Sequence, residues 1–233
     1  MNRKSLWVIV GALLLAGTMQ AQETKIYAGP TAPRGAFKDY ASSGWNVGVK
    51  TGFKMRTHLS LIASVDLFYN RLTPYTDDLR LSTSNVTIAS TPVCYNIPLM
   101  VHAKYTTKFS EKRKQTKDLD FWAEGAIGVN RRTMSQCSYS SVSFDALTGA
   151  SCATNTTLSF DAKTTFAHQW GVGVTYKNRI SVALVWYNLG RAKLSGTQTV
   201  SQVTADSNIT QTTPFENGRL REKLRTFRIG YTF

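Results

Sequence analysis

The stretch that most restricts what this chain can fold into is its last ten residues, Leu224–Phe233, L-R-T-F-R-I-G-Y-T-F. Phe227, Ile229, Tyr231 and Phe233 share one parity, and Thr226, Arg228, Gly230 and Thr232 share the other. A strand has a side-chain period of 2, so this segment has one oily and one polar face. An amphipathic helix needs apolar residues three and four apart, which this alternation does not supply.

The same alternation recurs upstream. Thr24–Gly29 is a short, weakly patterned first strand, followed by a loop over Thr31–Gly44. Trp45–Met55 and His58–Asn70 are clear strands joined by a tight turn at Arg56-Thr57, with Ile62 and Phe68 interrupting the polar face of the second. Val93–Tyr105, Leu119–Val129, Phe166–Tyr176 and Ile180–Trp186 continue the series. With the closing strand the pattern predicts eight strands. Connections after strands 1, 3, 5 and 7 are long and polar, Arg71–Pro92, Arg131–Lys163 and Leu189–Leu220 among them; those after strands 2, 4 and 6 are shorter, such as Lys177-Asn178.

The N-terminus bears on the compartment. Arg3 and Lys4 precede the apolar run Leu6–Ala16, and Met19-Gln20-Ala21 ends in a small residue. This predicts a secretory signal peptide over residues 1–21, cut after Ala21, with 22–233 as one β-barrel domain. The run is short for a retained anchor, which needs about 20 apolar residues. No later stretch is long and apolar enough for a transmembrane helix, a test that alternating barrel strands escape.

Net charge is +14, of which Arg3 and Lys4 leave with the leader. Basicity of this size invites a nucleic-acid reading, but the positives are scattered over turns and loops of an exported chain, so no nucleic-acid partner is expected. Phosphate-rich lipid headgroups are the more natural counter-charge. In an oxidising compartment a disulfide is permitted, and Cys137 and Cys152 are candidates within one polar segment; closing so short a loop contributes on the order of 3 kcal/mol in the chain-entropy model. Cys94, in a strand, is expected to be a buried free thiol. No zinc spacing, P-loop, G-x-G-x-x-G or other metal or cofactor constellation appears.

Two all-β architectures fit the pattern. A soluble barrel of lipocalin type would turn its apolar face inward around a ligand. An eight-stranded antiparallel up-and-down transmembrane barrel would turn it to lipid, with short turns at one end and long external loops at the other. The aromatics favour the second: Phe53, Tyr105, Phe121, Tyr176, Tyr231 and Phe233 fall at one set of strand ends, and Trp45, Tyr69, Phe166 and Trp186 near the other. Two girdles are what amphipathic rings favour at two membrane interfaces.

The terminal strand resembles the closing strand of bacterial outer-membrane β-barrels, a likeness that implies Tyr231 and Phe233 belong to a signal read by the barrel-assembly machinery. Tyr95-Asn96-Ile97-Pro98-Leu99-Met100-Val101, Gly171–Tyr176, Ile180–Gly190 and Arg228–Phe233 are similar to strands of the small PorT-like, OmpX/OmpA-like barrel group, over nearly the whole mature chain. The resemblance implies a fold and a location in the outer membrane more than an activity.

In that fold Lys50, Lys54, Asp66, His102, Lys104, Glu124 and Arg228 should point inward, with Asn96 and Gln169. An eight-stranded barrel has room only for side chains, so the expectation is a salt-bridged plug; a narrow conducting path is the alternative. His58 and Ser60 share a face, a spacing similar to that of lipid A deacylases, but they sit at the wrong end and lack an acidic partner. His168 should face lipid near the outer interface, and Lys223 and Arg225 should stand on the outward face near the external rim, either meeting lipopolysaccharide phosphates or forming a solvated strand end. The expected function is non-enzymatic, structural or surface-interacting through external loops that meet an unknown partner. A small-solute pore and a lipid-modifying enzyme are the alternatives.

Overall fold

A computed structural model describes residues 23–72, 86–108, 118–144, 151–204 and 207–233. The expected signal peptide and most of the long connection Arg71–Pro92 lie outside these residues. The strands are β1 (Glu23–Arg34), β2 (Ala41–Lys54), β3 (Leu59–Leu72), β4 (Val86–Ser90), β5 (Val93–Lys108), β6 (Leu119–Met134), β7 (Cys137–Phe144), β8 (Ser151–Phe160), β9 (Lys163–Tyr176), β10 (Ile180–Val203) and β11 (Asn208–Thr232). A short 3-10 turn over Gly35–Asp39 links β1 to β2.

Eight of these close a ring. β1, β2, β3, β5, β6, β9, β10 and β11 pair in that order, all antiparallel, and β11 returns to β1 through partners such as Ile26–Tyr231 and Lys25–Thr232. Closure leaves no free edge around the ring, the condition for placing strands in hydrocarbon. Parity does the rest. Outward side chains are large and apolar, for example Trp45, Val101, Ile127, Trp170 and Ile229. Inward positions such as Asn46, Asp66, His102, Glu124 and Arg228 are buried. The chain is therefore a transmembrane barrel, polar inside and oily outside.

At the short-turn end, β9 and β10 meet at Lys177-Asn178, whose φ of 49° and 56° are those of a type I′ turn, the one that matches strand twist. The long connections are at the other end, as expected, but over their described residues three of them are built largely of strand. The segment Thr31–Gly44 is strand through Arg34, then the 3-10 turn, then strand again from Ala41. Arg131–Lys163 holds the end of β6 and the β7–β8 hairpin, and Leu189–Leu220 holds the outer halves of β10 and β11. A bilayer-crossing strand needs about 9–11 residues; β10 has 24 and β11 has 25. The surplus pairs with itself from Arg191–Arg221 up to Val203–Asn208. β10 then pairs with β8, β8 with β7, and β7 with β4. The result is a second, five-stranded sheet, a blade standing above the ring. The strands hidden in the long connections leave the ring at eight.

The blade also corrects the disulfide. Cys137 lies opposite Leu158, and Cys152 opposite Ser143. Leu158 and Cys152 are six positions apart on β8, about 20 Å at ~3.3 Å per residue, far beyond the ~7 Å that a disulfide spans. Cys94, Cys137 and Cys152 are all free thiols.

Candidate functional site

The interior of the ring is the most elaborate arrangement of side chains, and it is layered. In the middle layer Arg228, inward on β11, is held by three strands. Its Nε donates to Asn46 Oδ1 at 2.8 Å, and one terminal nitrogen donates to Asp66 Oδ1 at 2.6 Å and to the Tyr187 hydroxyl. Its guanidinium lies over Tyr27 and Tyr187, 4.3 and 4.8 Å from the ring centroids. Asp66 also accepts from the Tyr27 hydroxyl at 2.8 Å and the Asn46 amide at 3.1 Å. A buried ion pair offsets its desolvation only when the remaining donors and acceptors are used, and these partners use most of them.

Toward the short-turn end, Glu124 on β6 pairs with Lys50 on β2 and accepts from Gln169 Nε2 at 3.0 Å. The His102 ring stands beside it, Nδ1 3.7 Å from Glu124 Oε2 and 2.9 Å from Gln169 Nε2, while Nε2 shares a 2.7 Å hydrogen bond with Ser64 Oγ. A serine, a histidine and a glutamate thus fall in line. Ser64 and His102 are both 0% exposed, so Ser64 has no open surface on which a substrate could sit. The spaces flanking Lys50 and Glu124 are ≈ 20 and ≈ 10 Å³, the size of a water molecule.

A third layer lies toward the blade. Arg132 Nη1 donates to Glu222 at 2.8 Å, Arg132 Nη2 donates to the Lys193 carbonyl at 3.0 Å, and Asn130 donates to Asn96 at 2.7 Å. Above this, Phe37 of the 3-10 turn, Leu72, Leu189, Leu220 and Leu224 form an apolar lid over that end of the lumen.

Of the residues expected inside, Lys50, Asp66, His102, Glu124 and Arg228 are brought together, with Asn96 and Gln169. Lys104 sits lower, 3.8 Å from Glu23 and over the Trp122 ring. Lys54 does not join the plug: it is exposed on the rim of a ≈ 280 Å³ vestibule at the short-turn end. There the strand has already left the packed lumen, so inward parity no longer means burial. His58 and Ser60 line the same vestibule, His58 bonded to the Thr106 carbonyl. His168 is exposed on the lipid face and shares a hydrogen bond with Asn188. Tyr231 and Phe233 face outward, edge to face at 5.1 Å.

Sequence reasoning missed Tyr27, Tyr187, Arg132 and Glu222. The signal was there: carrying inward parity outward from Arg228 reaches Glu222, and from Glu124 reaches Arg132. Tyr27 lay in the weakest strand, and Tyr187 one residue past an assigned end.

No family model matches the chain, and no curated protein matches it. Among solved structures it is similar to the outer membrane protein OprG from Pseudomonas aeruginosa, at 11% identity and a TM-score of 0.45, covering 91% of this chain and 96% of that one. It is also similar to Neisserial surface protein A, at 11% identity and a TM-score of 0.44, covering 90% and 94%. A third likeness, to the attachment invasion locus protein Ail of Yersinia pestis, has 11% identity and a TM-score of 0.37, covering 91% and 98%.

Proposed function

We propose that the protein is an integral barrel of the bacterial outer membrane whose lumen is closed and whose role is carried outside the membrane by the blade, as a structural or surface-interaction element rather than an enzyme. The observation that carries this reading is the continuation of β10 and β11 beyond the ring. A strand that only had to cross would stop near the interface; these two run on and recruit three further strands into a sheet. Surfaces raised on a rigid scaffold are where recognition is commonly placed. The Ser- and Thr-rich strands β7 and β8 (C-S-Y-S-S-V-S-F and S-C-A-T-N-T-T-L-S-F) suit hydrogen bonding to a hydrated partner.

The layered lumen argues against a solute path, and the short-turn end belongs on the periplasmic side, where both termini of an even-stranded barrel return. In this reading Tyr231 and Phe233 contribute to the signal for the barrel-assembly machinery. The test is conductance of the refolded protein in a planar lipid bilayer, with heat-modifiable gel migration to show folding. Silence from folded protein is the expected result. Discrete, reproducible steps would replace this reading with a pore lined by Lys50, Glu124 and Arg228.

A further inference from the structure

The outward face where the ring meets the blade carries like charges side by side. Arg34 on β1 is the direct cross-strand partner of Lys223 on β11, and Arg191 on β10 is the direct partner of Arg221. Directly opposed residues of an antiparallel pair share a face with Cβ atoms about 5 Å apart, and like charges there are destabilising. Lys193 opposes Arg219 in the same way, but its ammonium pairs with Glu216. Among the described residues no carboxylate is within ion-pair distance of Arg34, Lys223, Arg191 or Arg221, and Glu222, in the middle of the row, faces inward to Arg132.

The arrangement depends on one glycine. Between Asn188 and Arg191 the register with β11 shifts by one residue, and Gly190 there has φ +97°. This is a β-bulge of the kind glycine permits. It reverses the parity of β10, so Arg191 and Lys193 come out on the face of Arg221 and Arg219 instead of entering the lumen.

Below the field the same face of β11 continues as Arg225, Phe227, Ile229 and Tyr231, the last three exposed and apolar. The basic field therefore stands at the level where the lipid belt ends. We propose that it binds the phosphate groups of an anionic glycolipid headgroup in the outer leaflet. Guanidinium forks match phosphate oxygens in pairs, and phosphates between the strands would turn mutual repulsion into shared attraction. The inference rests on the transmembrane reading above and adds to it a ligand class and a site.

The test uses the full-length protein in phosphatidylcholine nanodiscs, with and without bisphosphorylated lipid A, beside the Arg191→Ser/Arg221→Ser/Lys223→Ser variant. Retention of lipid A is read by native mass spectrometry. Taking about a five-fold contribution per basic residue near an anionic surface, the triple variant should bind about 100-fold more weakly. A second readout changes sign. In neutral detergent at low ionic strength the variant should melt higher than wild type, because repulsion is removed; in lipid A discs it should melt lower. Equal binding by the variant, equal binding of dephosphorylated lipid A, or a variant that melts lower in both media would overturn the site. Preference of wild type for a soluble sulfated oligosaccharide over lipid A discs would overturn the lipid as ligand. Failure of the chain to insert into the disc at all would instead sink the transmembrane reading on which the site stands.

Discussion

The ring and the blade share two strands, yet they are held together by different physics. In the ring each strand separates two unlike surroundings, lipid outside and a packed polar interior inside, so every second side chain is constrained. In the blade both faces are far more open. Val142, Val203 and Ile209 stay exposed, and cohesion comes from the backbone ladder, pairs such as Thr199–Thr212, and the edge-to-face contact of Phe160 with Phe215. Alternating side chains mark a strand only where its two faces meet different solvents. The same polypeptide can obey that rule over one half of its length and be free of it over the other.

The comparison is most sharply tested at the lumen. Asp66→Ala leaves Arg228 buried with its charge partner gone, and unfolding in detergent monitored by heat-modifiable migration should show a loss of about 3–5 kcal/mol. A change below 1 kcal/mol would mean that solvent reaches Arg228 and that the interior is not packed. Replacing Lys50 and Glu124 singly should cost about 3 kcal/mol each, while Lys50→Met/Glu124→Met together should recover most of it, because an apolar pair carries no desolvation penalty. Two single losses that simply add would show that the pair is not coupled.

The junction comes next. At Gly190, φ is +97° and an added Cβ would come 2.6 Å from the Phe166 carbonyl, so Gly190→Val should cost about 1–3 kcal/mol. Hydrogen exchange should show protection lost in β10 beyond the bulge but kept between Ile180 and Asn188. Loss across the whole of β10 would mean ring and blade unfold as one unit.

Acid should separate the two regions by the smallest margin. Asp161 is held below the usual carboxylate range by the 2.6 Å hydrogen bond from Ser195 and by Lys163, and Glu216 is held low by Lys193. A carboxyl with a depressed folded value adds stability above its unfolded pKa, and that stability is lost as pH falls through the folded value. Amide protection factors, relative to the intrinsic rate at each pH, should therefore fall in β8 and the outer parts of β10 and β11 below about pH 4 before the ring responds, and Asp161→Asn should abolish part of that response. Both groups are exposed, so the effect should also fade in high salt.

These contrasts explain what could be read from the chain alone. Trp45–Met55 and Leu119–Val129 were legible because lipid demanded Val47, Val49, Phe121 and Ile127 on one side. The central plug was legible for the same reason: Asp66, Glu124 and Arg228 fall on the opposite parity. Cys137–Phe144 and Ser151–Phe160 carry no such demand, and their Ser and Thr residues look like loop until a neighbouring ladder exists to extend. Gly190 was invisible too, since a parity reversal shows only against the register of a partner strand. The supposed Cys137–Cys152 bridge failed because closeness in sequence says nothing about offset within a hairpin.

The continuation of β10 and β11 from the ring into the blade has a mechanical consequence. β11 spans 25 residues, about 80 Å at ~3.3 Å each, from the short-turn end of the ring to the tip of the blade. A pull on the tip along the strands loads many ladder bonds in shear at once, rather than peeling them one by one. A load applied at the tip would thus be delivered down the closing seam into the membrane-embedded ring, and the blade would behave as a stiff mast stepped in the hull rather than as a pennant.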